Sequence, residues 1–157
     1  MRIEPCTLND YQHILAHIAE FWGSDRALSL HHPMFVHEFG DSAFVIHAGE
    51  VIAAYLFGMY AQTSPTAYIH LVAVRKPYRR HGYARKLYAH FIDVARARGC
   101  RWLKAITTPG NSASVAFHRS LGMELQGSQN ADGVPVVRDY AGPGQDRVVM
   151  IRALGNS

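Results

Sequence analysis

Between Tyr68 and Leu87 the chain reads YIHLVAVRKPYRRHGYARKL, an apolar run, then a basic segment with a single glycine, then the start of an amphipathic helix. Pro77 has no N–H to give to a sheet and fixes its own φ, so the extended run ends before it. From Tyr83 onward apolar residues recur at helical spacing. The order strand, loop, helix is a strong constraint. Such a loop delivers the unpartnered amides of a helix's first turn to one point, and the helix dipole adds partial positive charge there. Arg75, Lys76, Arg79 and Arg80 lie in this loop, with Arg85 and Lys86 just inside the helix. Gly82 stands where a side chain would hold a phosphate away from the backbone. The stretch predicts a pyrophosphate cradle.

The 157 residues, 48% of them hydrophobic, suffice for one domain with its own core and are few for two. No repeat or low-complexity tract is visible. No run reaches the roughly 20 apolar residues of a membrane span, and the amino terminus lacks an apolar signal core, so a cytoplasmic protein without membrane contact is expected. Cys6 and Cys100 form no C-x-x-C pair and are expected to be packing residues. The net charge of +4 comes with basic residues gathered in the central stretch, which suits an acidic small molecule.

Arg2 to Pro5 predicts a first strand, and Thr7-Leu8-Asn9-Asp10 a capping box. Tyr11, Ile14, Leu15, Ile18, Phe21 and Trp22 form one apolar face of a single helix ended by Gly23. A shorter helix through Leu28 and Leu30 is interrupted at Pro33. Strands are predicted over Ser42–His47, Val51–Tyr60 and Thr66–Val74, joined as an antiparallel meander. The helix from Gly82 to Gly99 is expected to bury Tyr83, Leu87, Phe91, Val94 and Ala95. The strand Cys100–Thr107 then runs parallel to the one at Val72, as a crossover of this length requires. Asn111 caps a further helix closed by Gly122. A strand follows Met123, the polar segment Gly127–Gly144 is expected to be a long loop, and Val148–Ile151 a last strand near the sheet's far end.

Arg79-Arg80-His81-Gly82-Tyr83-Ala84 resembles the R/Q-x-x-G-x-G/A signature of GNAT superfamily N-acetyltransferases, placed after the apolar strand end Val72-Ala73-Val74. The segment from Asn111 to Met123, NSASVAFHRSLGM, is similar to the family's second acetyl-CoA segment. Its serine four positions before the histidine is similar to the phosphinothricin acetyltransferase-like subgroup. The resemblance implies an α/β (α+β) chain of the GNAT fold occupying residues 1–157 as one domain. That fold has a mixed, mostly antiparallel central sheet with a splayed parallel strand pair and helices on both faces. It implies acetyl-CoA as cosubstrate, with Val72, Ala73 and Val74 along the pantetheine arm. Arg79, Arg80, His81, Gly82, Tyr83, Ala84 and Arg85 would lie at the pyrophosphate, and Asn111 near the pantetheine end. The activity it implies is acetyl transfer to a primary amine of a small molecule by direct attack. A peptide or protein amine as acceptor, and a non-catalytic acyl-CoA sensor, are the alternatives. Family members often pair through exposed strands, so a homodimer is one expectation.

Amide formation from a thioester needs a neutral, well-placed amine, a donor for the oxyanion and a proton for the departing sulfur. A backbone N–H at Val72 or Ala73 is the expected oxyanion donor. His118 occupies the position where many family members have a tyrosine facing the thiolate. It is expected to donate a proton to sulfur, against the alternative of a structural bond to a neighbouring carbonyl. Strand alternation puts His70 on one face with Tyr68, Val72 and Val74. There it is a candidate general base in place of the family's carboxylate, or a histidine bonded within the core. Phe21, Trp22, Arg26, His31, Phe57 and Tyr60 are candidate acceptor-site residues by the same resemblance, or else ordinary core and surface. Asp139-Tyr140 is expected to close over the acceptor. Of the ten histidines, His13, His17, His31, His32 and His37 come early, with no H-E-x-x-H pattern and no cysteine partner, so no metal is expected. Only Tyr78 and Tyr83 interleave the loop arginines, and no nucleic acid is expected.

Overall fold

The computed structural model describes residues 1–155. Strand β1 (Ile3–Pro5) leads to helix α1 (Leu8–Ala16), entered through the capping box. The Thr7 hydroxyl accepts from the Asp10 amide at 3.1 Å and the Asp10 carboxylate from the Thr7 amide at 2.9 Å. The helix expected to run on to Trp22 is instead divided, with α2 spanning Ile18–Trp22. At the break the His17 amide turns to the Ile14 carbonyl, and the His17 ring lies 2.9 Å from the His13 carbonyl. The acceptor that a continuous helix offers to the His17 amide is taken by its own side chain. Gly23, at φ 80°, ends α2.

A 3-10 turn at Leu28–Leu30 and helix α3 (Met34–His37) precede the meander of β2 (Ala43–Ala48), β3 (Val51–Tyr60) and β4 (Thr66–Val74). Helix α4 (Tyr83–Ala97) crosses over to β5 (Trp102–Thr107), which runs parallel to β4. Then come α5 (Ser112–Ser120), β6 (Glu124–Leu125), a ribbon of β7 (Ser128–Gln129) and β8 (Pro135–Val136), and β9 (Val148–Ala153). The main sheet has the order β1-β2-β3-β4-β5-β9-β6. The last strand thus lies near the sheet's far end as expected, antiparallel to both β5 and β6 between which it inserts. The polar segment expected as a long loop is folded back on itself: Asn130 Oδ1 accepts from the Asp132 and Val134 amides, and Val137 pairs with Arg147. No helix among the described residues is long and apolar enough to cross a membrane.

Each face of the sheet has its own core. Tyr83, Leu87, Tyr88, Phe91, Ile92 and Ala95 of α4, with Val115 of α5, pack over Leu56, Ala67, Ile69, Leu103 and Ala105. Val94, expected inside, is only half-buried, and Tyr88 and Ile92 take the interior places. On the other face Tyr11, Ile14, Ile18, Phe21 and Phe35 cover Val45, Tyr55, Phe57, Leu71 and Ala73. Each fully buried aromatic or leucine contributes about 1.5–3 kcal/mol, so these two layers hold the sheet rigid. The edge is clamped by His47, whose two ring nitrogens lie 2.9 Å from Glu4 and 3.0 Å from Asp10. Burial works against its charge, but the Asp10 and Glu4 carboxylates hold its pKa above the ordinary value.

One irregularity shapes β4. Phe57 pairs with Leu71 and Gly58 with Ile69, so His70 has no partner on β3 and forms a bulge. The bulge exchanges the faces: Ala67 and Ile69 belong to the core under α4, whereas beyond it Leu71 and Ala73 belong to the opposite core. His70 and Tyr68 therefore do not share a face with Val72 and Val74, contrary to simple alternation. Gly58 makes the bulge feasible. A Cβ there would meet the Tyr68 carbonyl at 2.8 Å and Phe91 Cζ at 2.9 Å. Gly58→Ala is expected to destabilise the fold by about 1–3 kcal/mol, measured by urea denaturation. Gly40→Ala, whose Cβ meets nothing within 4 Å, is expected to stay within about 0.5 kcal/mol. Equal effects would contradict the role given to Gly58.

Candidate functional site

Strands β4 and β5 pair only from Thr66–Trp102 to Ile69–Ala105. Beyond that point Ile106 and Thr107 pair with Val149 and Val148 of β9, and β4 runs on against β3 alone. The parallel pair opens toward its carboxyl ends, where ligands enter sheets of this kind. The Arg75 amide donates to Ala53 of β3 at 2.8 Å. Since backbone groups alternate along a strand, Ala73 also turns to β3, and Val72 and Val74 turn into the gap. Of the three residues expected along an extended ligand arm, two offer backbone groups and Ala73 does not. Of the two amides expected as an oxyanion donor, that of Val72 turns into the gap and that of Ala73 does not.

Both strand ends feed helix starts at the mouth of the gap. Gly82 caps α4 with φ 77° and no side-chain bond, so the amides of Tyr83, Ala84 and Arg85 have no capping acceptor. No protein atom lies within 4 Å of a Cβ built on Gly82, so its backbone conformation, not crowding within the protein, requires glycine. Arg80 is held at φ 65°, a conformation costing a non-glycine residue about 1–2 kcal/mol. Such strain is concentrated where ligands bind.

The loop cations are not equivalent. Arg79 donates to the Val74 carbonyl at 3.2 Å and the Phe21 carbonyl at 2.8 Å, which ties the loop to α2 and leaves the amide as the group Val74 offers to the gap. Its side chain is thus spent within the protein, and Arg75 is spent on Glu20 at 2.5 Å. Arg85 reaches Ser120 at 2.9 Å and joins α4 to α5. His81 stacks on Tyr83 with centroids 5.9 Å apart. Arg80 is exposed, and no hydrogen bond of its side chain is found among the described residues. At the second helix start, Asn111 Oδ1 accepts from the Ser114 amide, leaving its NH2 to face outward.

His118 is 5% exposed and sits between α4 and α5. Its Nδ1–H donates to the Ser114 carbonyl at 2.7 Å, which makes Nε2 the acceptor for the Tyr88 hydroxyl. Burial pushes the ring's pKa down and the Tyr88 phenol's up. With both nitrogens engaged and the ring neutral, His118 has no proton to give a sulfur. The geometry makes it a residue that positions Tyr88, a partner the sequence left among ordinary helix-face residues.

His70 is placed differently. Its ring stacks on Phe35 at 4.9 Å, and Nε2–H donates to the Leu30 carbonyl at 3.0 Å. Nδ1 is left with its lone pair, and burial lowers the pKa so that the ring is neutral near pH 7. The bulge thereby sets an oriented acceptor next to the parting of the strands. The other acceptor-site candidates scatter. Phe21 and Phe57 are core, and His31 is buried in a chain of bonds from Trp22 Nε1–H to the Tyr55 hydroxyl to His31 to the Ala27 carbonyl. Tyr60 stands at the closed end of the sheet opposite Ala67, packed on Phe91 and under Arg98, and so away from the gap. Arg26 is exposed beyond α2. Tyr68, Lys104 and Tyr140, in contrast, converge beside His70.

Residues 8–123 match the model of the Acetyltransferase (GNAT) family. The chain is 33% identical over 94 residues to the aminoglycoside N(6')-acetyltransferase type 1 of Serratia marcescens, a match covering 60% of this chain and 64% of that protein. The ribosomal-protein-S18-alanine N-acetyltransferase of Escherichia coli superposes with a TM-score of 0.71 at 20% identity, over 99% of this chain and 95% of that one. A phosphinothricin acetyltransferase of Sinorhizobium meliloti, solved in complex with AcCoA, gives 0.67 at 20% identity over 98% and 88%. These structures share the fold: the mixed sheet with one parallel pair.

The Tyr88–His118 pair has a measurable signature. His118→Ala leaves the Tyr88 hydroxyl without its acceptor in the interior and is expected to lower stability by about 1–3 kcal/mol. Because the folded ring resists protonation, the unfolded chain binds the proton more readily. Wild-type stability therefore falls as pH drops through the ordinary histidine value of about 6.5. Denaturation at pH 5.5 and 7.5 is expected to show a smaller pH difference for the variant. An unchanged difference would contradict a buried neutral His118.

Proposed function

Since the chain belongs to the acetyltransferase (GNAT) family, we propose that it transfers the acetyl group of acetyl-CoA to a primary amine of a small molecule. The observation that carries this reading is the gap in which β4 runs on without β5, with two helix starts at its mouth. An extended pantetheine arm fits the free edge at Val72 and Val74, and a diphosphate fits the amides at Tyr83–Arg85 with Arg80 beside them. In the reaction the amine nitrogen bonds to the acetyl carbon, the carbon–sulfur bond breaks, and the proton lost by nitrogen ends on the CoA thiol. The Val72 amide supports the oxyanion. His70 takes the amine proton at Nδ1, directly or through water, with the Leu30 carbonyl holding the ring's other nitrogen. His118, bonded to the Ser114 carbonyl and the Tyr88 hydroxyl, takes a structural part between α4 and α5.

A small acceptor is favoured over a peptide by the way Leu28–Leu30 and the Tyr140 ribbon flank the His70 side of the gap. The test is acetyl-CoA-dependent thiol release against amino acids, aminoglycosides, polyamines and short peptides, with the product mass measured. A mass gain of one acetyl group on a small amine is expected. His70→Ala is expected to lower kcat by about 10²- to 10⁴-fold and remove a titration below 6.5 from the pH–rate profile, with CoA affinity retained. An unaltered profile would contradict His70 as the base, and CoA binding without turnover on any amine would favour a sensor.

A further inference from the structure

We infer that His31 is a positioning residue of the transfer site: it fixes the Leu30 carbonyl against His70, and so holds the His70 ring in the aim and tautomer that leave Nδ1 free. The inference rests on the acetyl-transfer reading, in which His70 takes the amine proton, and it adds the part of the molecule that sets this base. His31 follows the turn at Leu28–Leu30 and is 7% exposed. The Leu30 carbonyl that accepts from His70 Nε2–H at 3.0 Å belongs to the peptide unit whose N–H is that of His31. Whatever places His31 therefore places the acceptor of His70.

The bonds of His31 run in one direction only. Trp22 Nε1–H has a proton and no lone pair to offer, so it donates to the Tyr55 hydroxyl at 2.7 Å. The Ala27 carbonyl only accepts, so it takes the Nδ1–H of His31 at 2.7 Å. His31 Nε2 is then the acceptor for the Tyr55 hydroxyl, again at 2.7 Å. A second proton, on Nε2, would turn the Tyr55 O–H away from this acceptor, so the chain is complete only with a neutral ring. Burial pushes the pKa of His31 down, and the neighbouring His70 adds to the shift.

The turn has few other anchors. Leu28 and Leu30 are 43% and 49% exposed, so their side chains do not hold it. The Leu30 amide donates to the Ala27 carbonyl at 3.0 Å and the His31 amide to the Leu28 carbonyl at 3.1 Å, which shapes the turn without tying it to the sheet. Apart from the His70 bond itself, the hydrogen bond that ties it to the sheet among the described residues is that of His31 to Tyr55 of β3. Tyr55 pairs in register with Ala73 of β4. The His31 ring also packs against Phe57, with centroids 6.1 Å apart; Phe57 stacks on Phe35 at 5.7 Å, and Phe35 on His70 at 4.9 Å. An aromatic layer thus supports the face of the His70 ring while the carbonyl beside His31 holds its Nε2.

The experiment pairs a readout that needs no turnover with one that does. Ring-nitrogen NMR spectra of wild type are expected to show His70 with its proton fixed on Nε2 and exchanging slowly enough to be seen. His31→Phe keeps a ring in the aromatic layer and removes both bonds. It is expected to move the His70 ring nitrogens toward averaged values and to lose the Nε2–H signal. With acetyl-CoA and an accepted amine it is expected to lower kcat by up to about 100-fold, the effect of a reacting group displaced by about 1 Å, with KM for acetyl-CoA unchanged. His31→Asn, whose amide still donates to the Ala27 carbonyl, is expected to recover part of both. In a His70→Ala background His31→Phe is expected to add no further loss, since the two residues act on one proton. A wild-type His70 spectrum in folded His31→Phe, or equal kcat losses in both backgrounds, would overturn this assignment while acetyl transfer stood. Should His31→Phe not fold, Tyr55→Phe and His31→Asn supply the same two readouts. Thiol release indifferent to His70→Ala would overturn the base reading, and the positioning role with it.

Discussion

A parallel strand pair that stops pairing halfway sets the terms for everything else in this molecule. Unpaired backbone groups on a strand are tolerated only where solvent or a ligand satisfies them. Here β4 keeps Val72 and Val74 turned to a space from which β5, paired with β9 along its other edge, has diverged. The cause is local. His70 is an extra residue, Gly58 opposite it admits the bent backbone against Phe91, and the strand leaves the bulge with its faces exchanged. The same irregularity that frees an edge also aims a histidine at the point where the edge begins. Two cores, one on each face, make the bend permanent rather than a fluctuation.

Around that gap the charges divide their labour. Arg75, Arg79 and Arg85 hold protein to protein, connecting the loop to α2 and α4 to α5. Arg80, strained and without an internal bond, and the open amides of α4 are left for an anion. Counting basic residues in the sequence overstates the cradle's charge, since several guanidinium groups are already engaged. Four of the histidines likewise differ by partner. Those at 31, 70 and 118 are bound to carbonyls and burial pushes their pKa down, while two carboxylates hold the pKa of that at 47 above its ordinary value.

Much of this was legible from residue patterns. Apolar spacing gave the helix beginning at Tyr83, the glycine and proline positions gave the meander, and the crossover length gave the parallel partner. The features that escaped are those decided by single contacts across space. His17 bonding back to His13 divides a helix whose apolar face is unbroken in sequence. The bulge at His70 depends on what Gly58 faces, which strand alternation cannot register. The pairing of Tyr88 with His118 joins residues 30 positions apart on two helices. The folded ribbon of residues 127–147 was hidden by its polarity, although Gly127 is fixed by a carbonyl that would lie 2.0 Å from a Cβ.

The central claim is that the free edge of β4 pairs with an extended ligand arm. Residue-resolved amide hydrogen exchange with and without acetyl-CoA tests it most directly. The account predicts slower exchange at Val72 and at Tyr83–Arg85 when acetyl-CoA is added, with Ala73, which already faces β3, unchanged. Exchange at Val72 that is indifferent to saturating acetyl-CoA would contradict it.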